Sequence, residues 1–138
     1  MRIAVDFDGT IVEHRYPEIG KEIPFAVATL KQLIREGHLL ILWSVREGEL
    51  LDEAVEWCRA KGIEFYAVNS DYPDEDETLS KQISRKLKVD LFIDDRNVGG
   101  LPDWGVIYEM INSNKTYEQV LREMINAPKP EKKPWWKF

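Results

Sequence analysis

Along this chain the apolar residues come in short unbroken runs separated by segments of helical periodicity. Ile3-Ala4-Val5 follows Arg2, Leu39-Leu40-Ile41-Leu42-Trp43 lies within residues 38–44, Phe65-Tyr66-Ala67-Val68 within 65–69, and Leu91-Phe92-Ile93 within 89–96. A half-exposed strand would alternate apolar and polar side chains; consecutive apolar residues predict strands of a parallel sheet covered on both faces. A short fifth strand is predicted over residues 105–111. Between the strands, Pro24 opens a helix that carries Ala28, Leu30, Leu33 and Ile34 and stops at Gly37. Leu50, Leu51, Ala54, Val55 and Cys58 line a second helix over 49–61, which Gly62 ends. A short helix is predicted over 78–88, and Thr116 caps a last one with Val120, Leu121 and Ile125. Strands alternating with helices predict an α/β fold.

Polar chemistry collects where the apolar runs stop. The first run delivers Asp6-Phe7-Asp8-Gly9-Thr10 into a turn, and the fourth ends in Asp94-Asp95-Arg96. In open α/β sheets ligands bind beyond the carboxyl ends of the strands. Two carboxylates one residue apart resist joint ionisation unless a cation intervenes, and hard oxygen ligands suit Mg²⁺. The alternative for Asp8-Gly9 is a plain Asx-turn. A second buried strand ending in paired Asp is not a requirement of turn chemistry. Ser44, at the end of the second run, is either a donor to a phosphoryl oxygen or an ordinary turn and cap residue.

Composition narrows the possibilities. The 138 residues, 43% of them hydrophobic, suffice for one domain with an ordinary core. The single Cys58 excludes an internal disulfide and reads as a packing residue, which fits a reducing cytoplasm. No apolar stretch approaches the ~20 residues of a membrane span, and no signal-peptide pattern is present. A soluble cytoplasmic protein is expected. The formal charge of −6 disfavours nucleic acid as a partner, since that binding draws on excess Lys and Arg. His14 lacks a companion His or Cys and reads as a loop residue. The acidic segment around Asp71, Asp74, Glu75, Asp76 and Glu77 reads as a solvated loop bordering the strand ends. Residues 1–126 are expected to form the domain. Residues 127–138, with Lys129, Lys132, Lys133, Trp135, Trp136 and Phe138, form a basic and aromatic tail that is mobile by default and otherwise docks on the domain, meets a partner or touches a membrane surface.

In order along the chain, Asp6-Phe7-Asp8-Gly9-Thr10, Ser44, a lysine before the fourth strand and Ile93-Asp94-Asp95-Arg96 resemble the four signatures of the haloacid dehalogenase superfamily. The resemblance implies a three-layer α/β/α Rossmann-like core with strand order 3-2-1-4-5, without a cap domain, because neither cap position has room for one. It further implies a Mg²⁺-dependent phosphomonoester hydrolase, acting on a small phosphorylated metabolite. Asp6 would be the nucleophile and Asp8 the general acid and base. Ser44 and Lys86 would hold the phosphoryl group, with Lys81 and Lys88 the competitors for Lys86. Asp6, the backbone carbonyl of Asp8, Asp94 and Asp95 would surround the metal, Asp95 as a direct ligand. Gly9, Thr10 and Arg46 complete the expected substrate contacts, Arg46 either on a phosphate or in a surface ion pair. Four carboxylates outweigh one Mg²⁺, so a lysine is needed before a phosphate can approach. A capless site leaves room for a homo-oligomer that closes it. The alternatives are a phosphate-accepting regulatory domain that turns over poorly and an interaction module built on the tryptophan-rich tail.

Overall fold

The computed structural model describes residues 1–73 and 87–127. The expected helix over 78–88, with Lys81 and Lys86, and the tail beyond Ala127 lie largely or wholly outside the described residues. The chain divides into two compact units, Met1–Gly105 and Val106–Phe138.

The first unit is α/β. Its strands are β1 (Arg2–Val5), β2 (Leu39–Leu42), β3 (Ala67–Val68) and β4 (Leu91–Ile93), with α1 (Ala26–Arg35) between β1 and β2 and α2 (Gly48–Ala60) between β2 and β3. All three pairings are parallel, and the order across the sheet is β3-β2-β1-β4. β2 and β3 are shorter than the apolar runs that predict them, whereas β1 and β4 cover theirs fully. Both faces are buried, as the unbroken runs require: Ala4, Ile41 and Ala67 share one face with partly buried Phe92, while Ile3, Val5, Leu40, Leu42 and Ile93 are at most 4% exposed on the other. Each fully buried aliphatic side chain contributes roughly 1.5–3 kcal/mol.

The register sets the position of the site. Val5 lies opposite Leu42 on one side and Ile93 on the other, so β1, β2 and β4 stop at one level. The next residues, Asp6, Trp43 and Asp94, leave the sheet side by side. Backbone bonds carry the alignment past the strand ends: Asp6 N–H donates to Ile93 at 3.0 Å and Trp43 N–H to Val5 at 2.8 Å.

The fifth strand expected over 105–111 is instead a helix, α3 (Trp104–Ser113). Trp104, Ile107 and Ile111 are its buried residues, spaced at three and four as on one helical face. The local β-propensity of Val106, Ile107 and Tyr108 gives way to that periodicity. In the second unit α4 (Tyr117–Asn126) starts as predicted at Thr116, in a capping box: Thr116 Oγ accepts from Gln119 N–H and the Gln119 amide oxygen accepts from Thr116 N–H.

Candidate active site

Three carboxylates meet at the end of β1. Asp6, Asp94 and Asp95 each present an oxygen within 4.8 Å of the others, and all three side chains are partly buried. Asp6 arrives by continuing β1, while Asp94 and Asp95 arrive by continuing β4 alongside it. Asp94 is held by an Asx-turn, its Oδ1 accepting from Arg96 N–H at 2.8 Å, and its carbonyl accepts from the Asn97 amide at 2.6 Å.

Gly9 and Thr10 hold Asp95. Gly9 has φ +81°, and a Cβ there would stand 2.3 Å from Asp95 Oδ2, so the carboxylate occupies the space that a side chain would need. Thr10 Oγ accepts from Asp95 N–H at 3.1 Å and lies 3.4 Å from Asp95 Oδ1. Its carbonyl accepts from the Trp104 indole at 3.0 Å. Thr10 is fully buried, so its side chain is a support for Asp95 and not the substrate contact expected of it.

Burial beside two further carboxylates disfavours the charged form of Asp6. Asp6 is pushed up from 3.8 to about 7, first by burial; the Phe7 backbone N–H works in the opposite direction, and the Asp94 charge and then Asp95 reinforce the rise. Such a cluster of hard oxygens fits a divalent cation of the Mg²⁺ kind, whose charge would offset the repulsion.

Asp8 takes a different course. Its carboxylate is 7% exposed and lies outside the three-carboxylate group, which leaves the backbone carbonyl as the metal contact expected of Asp8. Both oxygens accept from the guanidinium of Arg46, from Nε at 2.7 Å and Nη2 at 2.8 Å. Arg46 is fully buried, and its other N–H groups reach the carbonyls of Pro17 (3.2 Å), Glu18 (3.0 Å) and Leu50 (3.4 Å). All five guanidinium N–H groups thereby have partners within the chain. Arg46 is neither the phosphate contact nor the surface ion pair that the sequence suggested. Donating to the Asp8 carboxylate holds the Arg46 pKa above the usual arginine value, against the effect of burial.

Ser44 sits just past the end of β2. Its N–H donates to the Asn69 side chain at 2.8 Å, and its Oγ accepts from Arg46 N–H at 3.1 Å. A hydroxyl that accepts in this way keeps its own hydrogen to donate. Both readings of Ser44, turn residue and phosphoryl donor, are compatible with one geometry. Lys86 lies outside the described residues. Asn69, in the left-handed region at φ 52°, and Trp104 are supports that the sequence reading passed over; for Asn69 the available signal was a lone amide at the exit of a predicted strand.

No family model matches the chain, and no curated protein matches it. A solved structure does: that of a conserved protein coded by a locus of Bacteroides thetaiotaomicron, 72% identical, with a TM-score of 0.80 over 87% of this chain and 96% of that one. At that identity and coverage, the chain belongs to the same family as the conserved Bacteroides thetaiotaomicron protein.

Proposed function

We propose that this chain is a Mg²⁺-dependent phosphomonoester hydrolase of the haloacid dehalogenase type, working through an aspartyl-phosphate on Asp6. The observation that carries the reading is the convergence of Asp6, Asp94 and Asp95, brought from distant parts of the chain to one edge of a parallel sheet. Asp6, Asp94 and Asp95 would hold the cation, which when bound supplies positive charge against the phosphoryl oxygens.

In the first half-reaction an Asp6 oxygen attacks phosphorus in line with the ester oxygen, the P–O ester bond breaks, and the leaving oxygen takes a proton from the Asp8 carboxyl. Ser44 has a hydroxyl free to donate to an equatorial phosphoryl oxygen. In the second half-reaction water attacks the phosphorus of the aspartyl-phosphate, releasing phosphate and restoring Asp6. Asp8, two residues on, is the proton-transfer group. The Arg46 fork fixes its orientation. Asp8 gives its proton to the leaving oxygen in the first half and takes one from the attacking water in the second, so the proton is returned over the cycle. A second reading, a phosphate-accepting domain, corresponds to a slow second half-reaction.

The test is phosphate release from p-nitrophenyl phosphate with Mg²⁺, with EDTA, and with Asp6→Asn. The expected result is Mg²⁺-dependent release that EDTA abolishes and that Asp6→Asn lowers by at least roughly 10³-fold. Beryllofluoride with Mg²⁺ should give an adduct on Asp6. Release that is unaffected by EDTA and by Asp6→Asn overturns the proposal.

A further inference from the structure

Arg46 reaches beyond Asp8 to an aromatic ring that the hydrolytic chemistry leaves without a task. The guanidinium carbon lies 5.3 Å from the ring centroid of Phe7 and 5.3 Å from that of Tyr16. Phe7 is fully buried, with the ring of Trp57 edge-on at 5.8 Å. Tyr16 keeps 48% of its surface exposed. The chain next to Tyr16 is fixed, because the carbonyls of Pro17 and Glu18 accept from Arg46 Nη1 and Nη2. The base of this loop is closed by Glu13 N–H donating to Lys21 at 2.7 Å. A half-exposed ring is thus pinned by a buried cation that also grips the carboxylate two residues after Asp6.

From this juxtaposition we infer that Tyr16 is a stacking platform for a flat aromatic group on the substrate, which makes the substrate class phosphomonoesters with a nucleoside-like body. The inference rests on the phosphomonoesterase reading of the Asp6 site. A cation against one face of an aromatic ring draws its π-density, which favours stacking of an electron-rich base on the free side. The ring is already ordered by Arg46, so stacking costs little further side-chain entropy. A sugar phosphate offers no flat face and gains nothing from the platform.

Calorimetric titration of Asp6→Asn protein in Mg²⁺ buffer with adenosine 5′-monophosphate and with ribose 5-phosphate isolates the base. The nucleotide should bind roughly tenfold more tightly, within the range measured for bases on aromatic side chains. Adding Tyr16→Ala or Tyr16→Leu should erase that difference, and Tyr16→Phe should keep it. Equal affinities before Tyr16 is changed, a preference that survives both Tyr16→Ala and Tyr16→Leu, or no binding of either compound overturns the inference; the second outcome would make Tyr16 only a cover for Arg46. Phosphate release by the unmodified chain is followed separately on both compounds. Hydrolysis without a base preference removes the platform and spares the hydrolase reading. A Tyr16-dependent base preference without hydrolysis removes the hydrolase reading and leaves a nucleotide-binding site.

Discussion

Asp6 and Asp8 belong to one short turn, yet their surroundings are opposite. Asp8 has its own cation: Arg46 meets both of its oxygens, and the pair sits at 7% and 0% exposure with every guanidinium N–H bonded. Among the described residues, the charged groups that act on Asp6 are further carboxylates, Asp94 and Asp95. One half of the turn is complete within the chain, and the other lacks a positive charge among the described residues. The contrast separates a fold requirement from a functional one. Breaking the Asp8 pair should damage the fold, whereas neutralising Asp6 should relieve it.

The largest expected effect follows from the complete half. Arg46→Met strands a buried carboxylate and removes the donors to Pro17, Glu18 and Leu50. A loss of about 3–5 kcal/mol is expected from urea unfolding, together with a fall in Tm of roughly 10 °C or more. Adding Asp8→Leu should return much of the loss, because an apolar pair of similar volume often matches a buried ion pair. A stability within about 1 kcal/mol of the unmodified chain for Arg46→Met alone would mean that the pair is not the organising contact.

Next in size is the pH dependence of the incomplete half. The Asp6 carboxyl is raised from 3.8 to about 7, so the folded chain favours its protonated form. A raised carboxyl contributes stability that is fully present below pH 3.8 and is lost as pH climbs through about 7. Without divalent metal, Asp6→Asn should therefore be more stable than the unmodified chain at pH 8, by an upper bound of roughly 4 kcal/mol. The gap should close towards pH 4. Mg²⁺ at pH 8 should raise the Tm of the unmodified chain and act much less on Asp6→Asn. A gap that is independent of pH, or no response to Mg²⁺, breaks the comparison.

The same contrast explains what could be seen in the sequence. Asp6, Asp94 and Asp95 were legible because each directly follows a continuous apolar run, and parallel strands that end at one level must bring their next residues together. Arg46 was not. It stands between exposed Val45 and exposed Glu47, and nothing local marks it for burial; its partner Asp8 is 38 positions away. Thr10 was misjudged for the same reason, since its partner Asp95 is 85 positions away. The helix at Trp104–Ser113 was hidden in another way. Gly105 and the β-formers after it suggest a strand, while the deciding period of Trp104, Ile107 and Ile111 emerges only when burial is known.

Gly9 carries the next effect, because it lies where the two halves touch. Gly9→Ala adds a methyl 2.3 Å from Asp95 Oδ2 on a backbone at φ +81°. The strained backbone alone costs on the order of 1 kcal/mol, and Asp95 must also move. Calorimetric Mg²⁺ titration should show affinity lowered by at least roughly tenfold if Asp95 is a ligand. An unchanged Mg²⁺ affinity would place the cation away from Asp95.

The smallest effect tests whether Thr10 acts only as a support. Thr10→Val keeps the buried volume but removes the oxygen that accepts from Asp95 N–H at 3.1 Å. An unsatisfied backbone donor costs roughly 1–3 kcal/mol when buried, and the part-buried setting here puts the expectation near the lower end, about 1 kcal/mol by urea unfolding. With its side chain fully buried, Thr10 has no reach to a ligand. In the phosphatase assay kcat should therefore fall modestly through loss of Asp95 alignment, while KM for the phosphomonoester stays within about twofold. A large rise in KM with kcat preserved would restore Thr10 to the substrate, and the turn after β1 would then have three tasks instead of two.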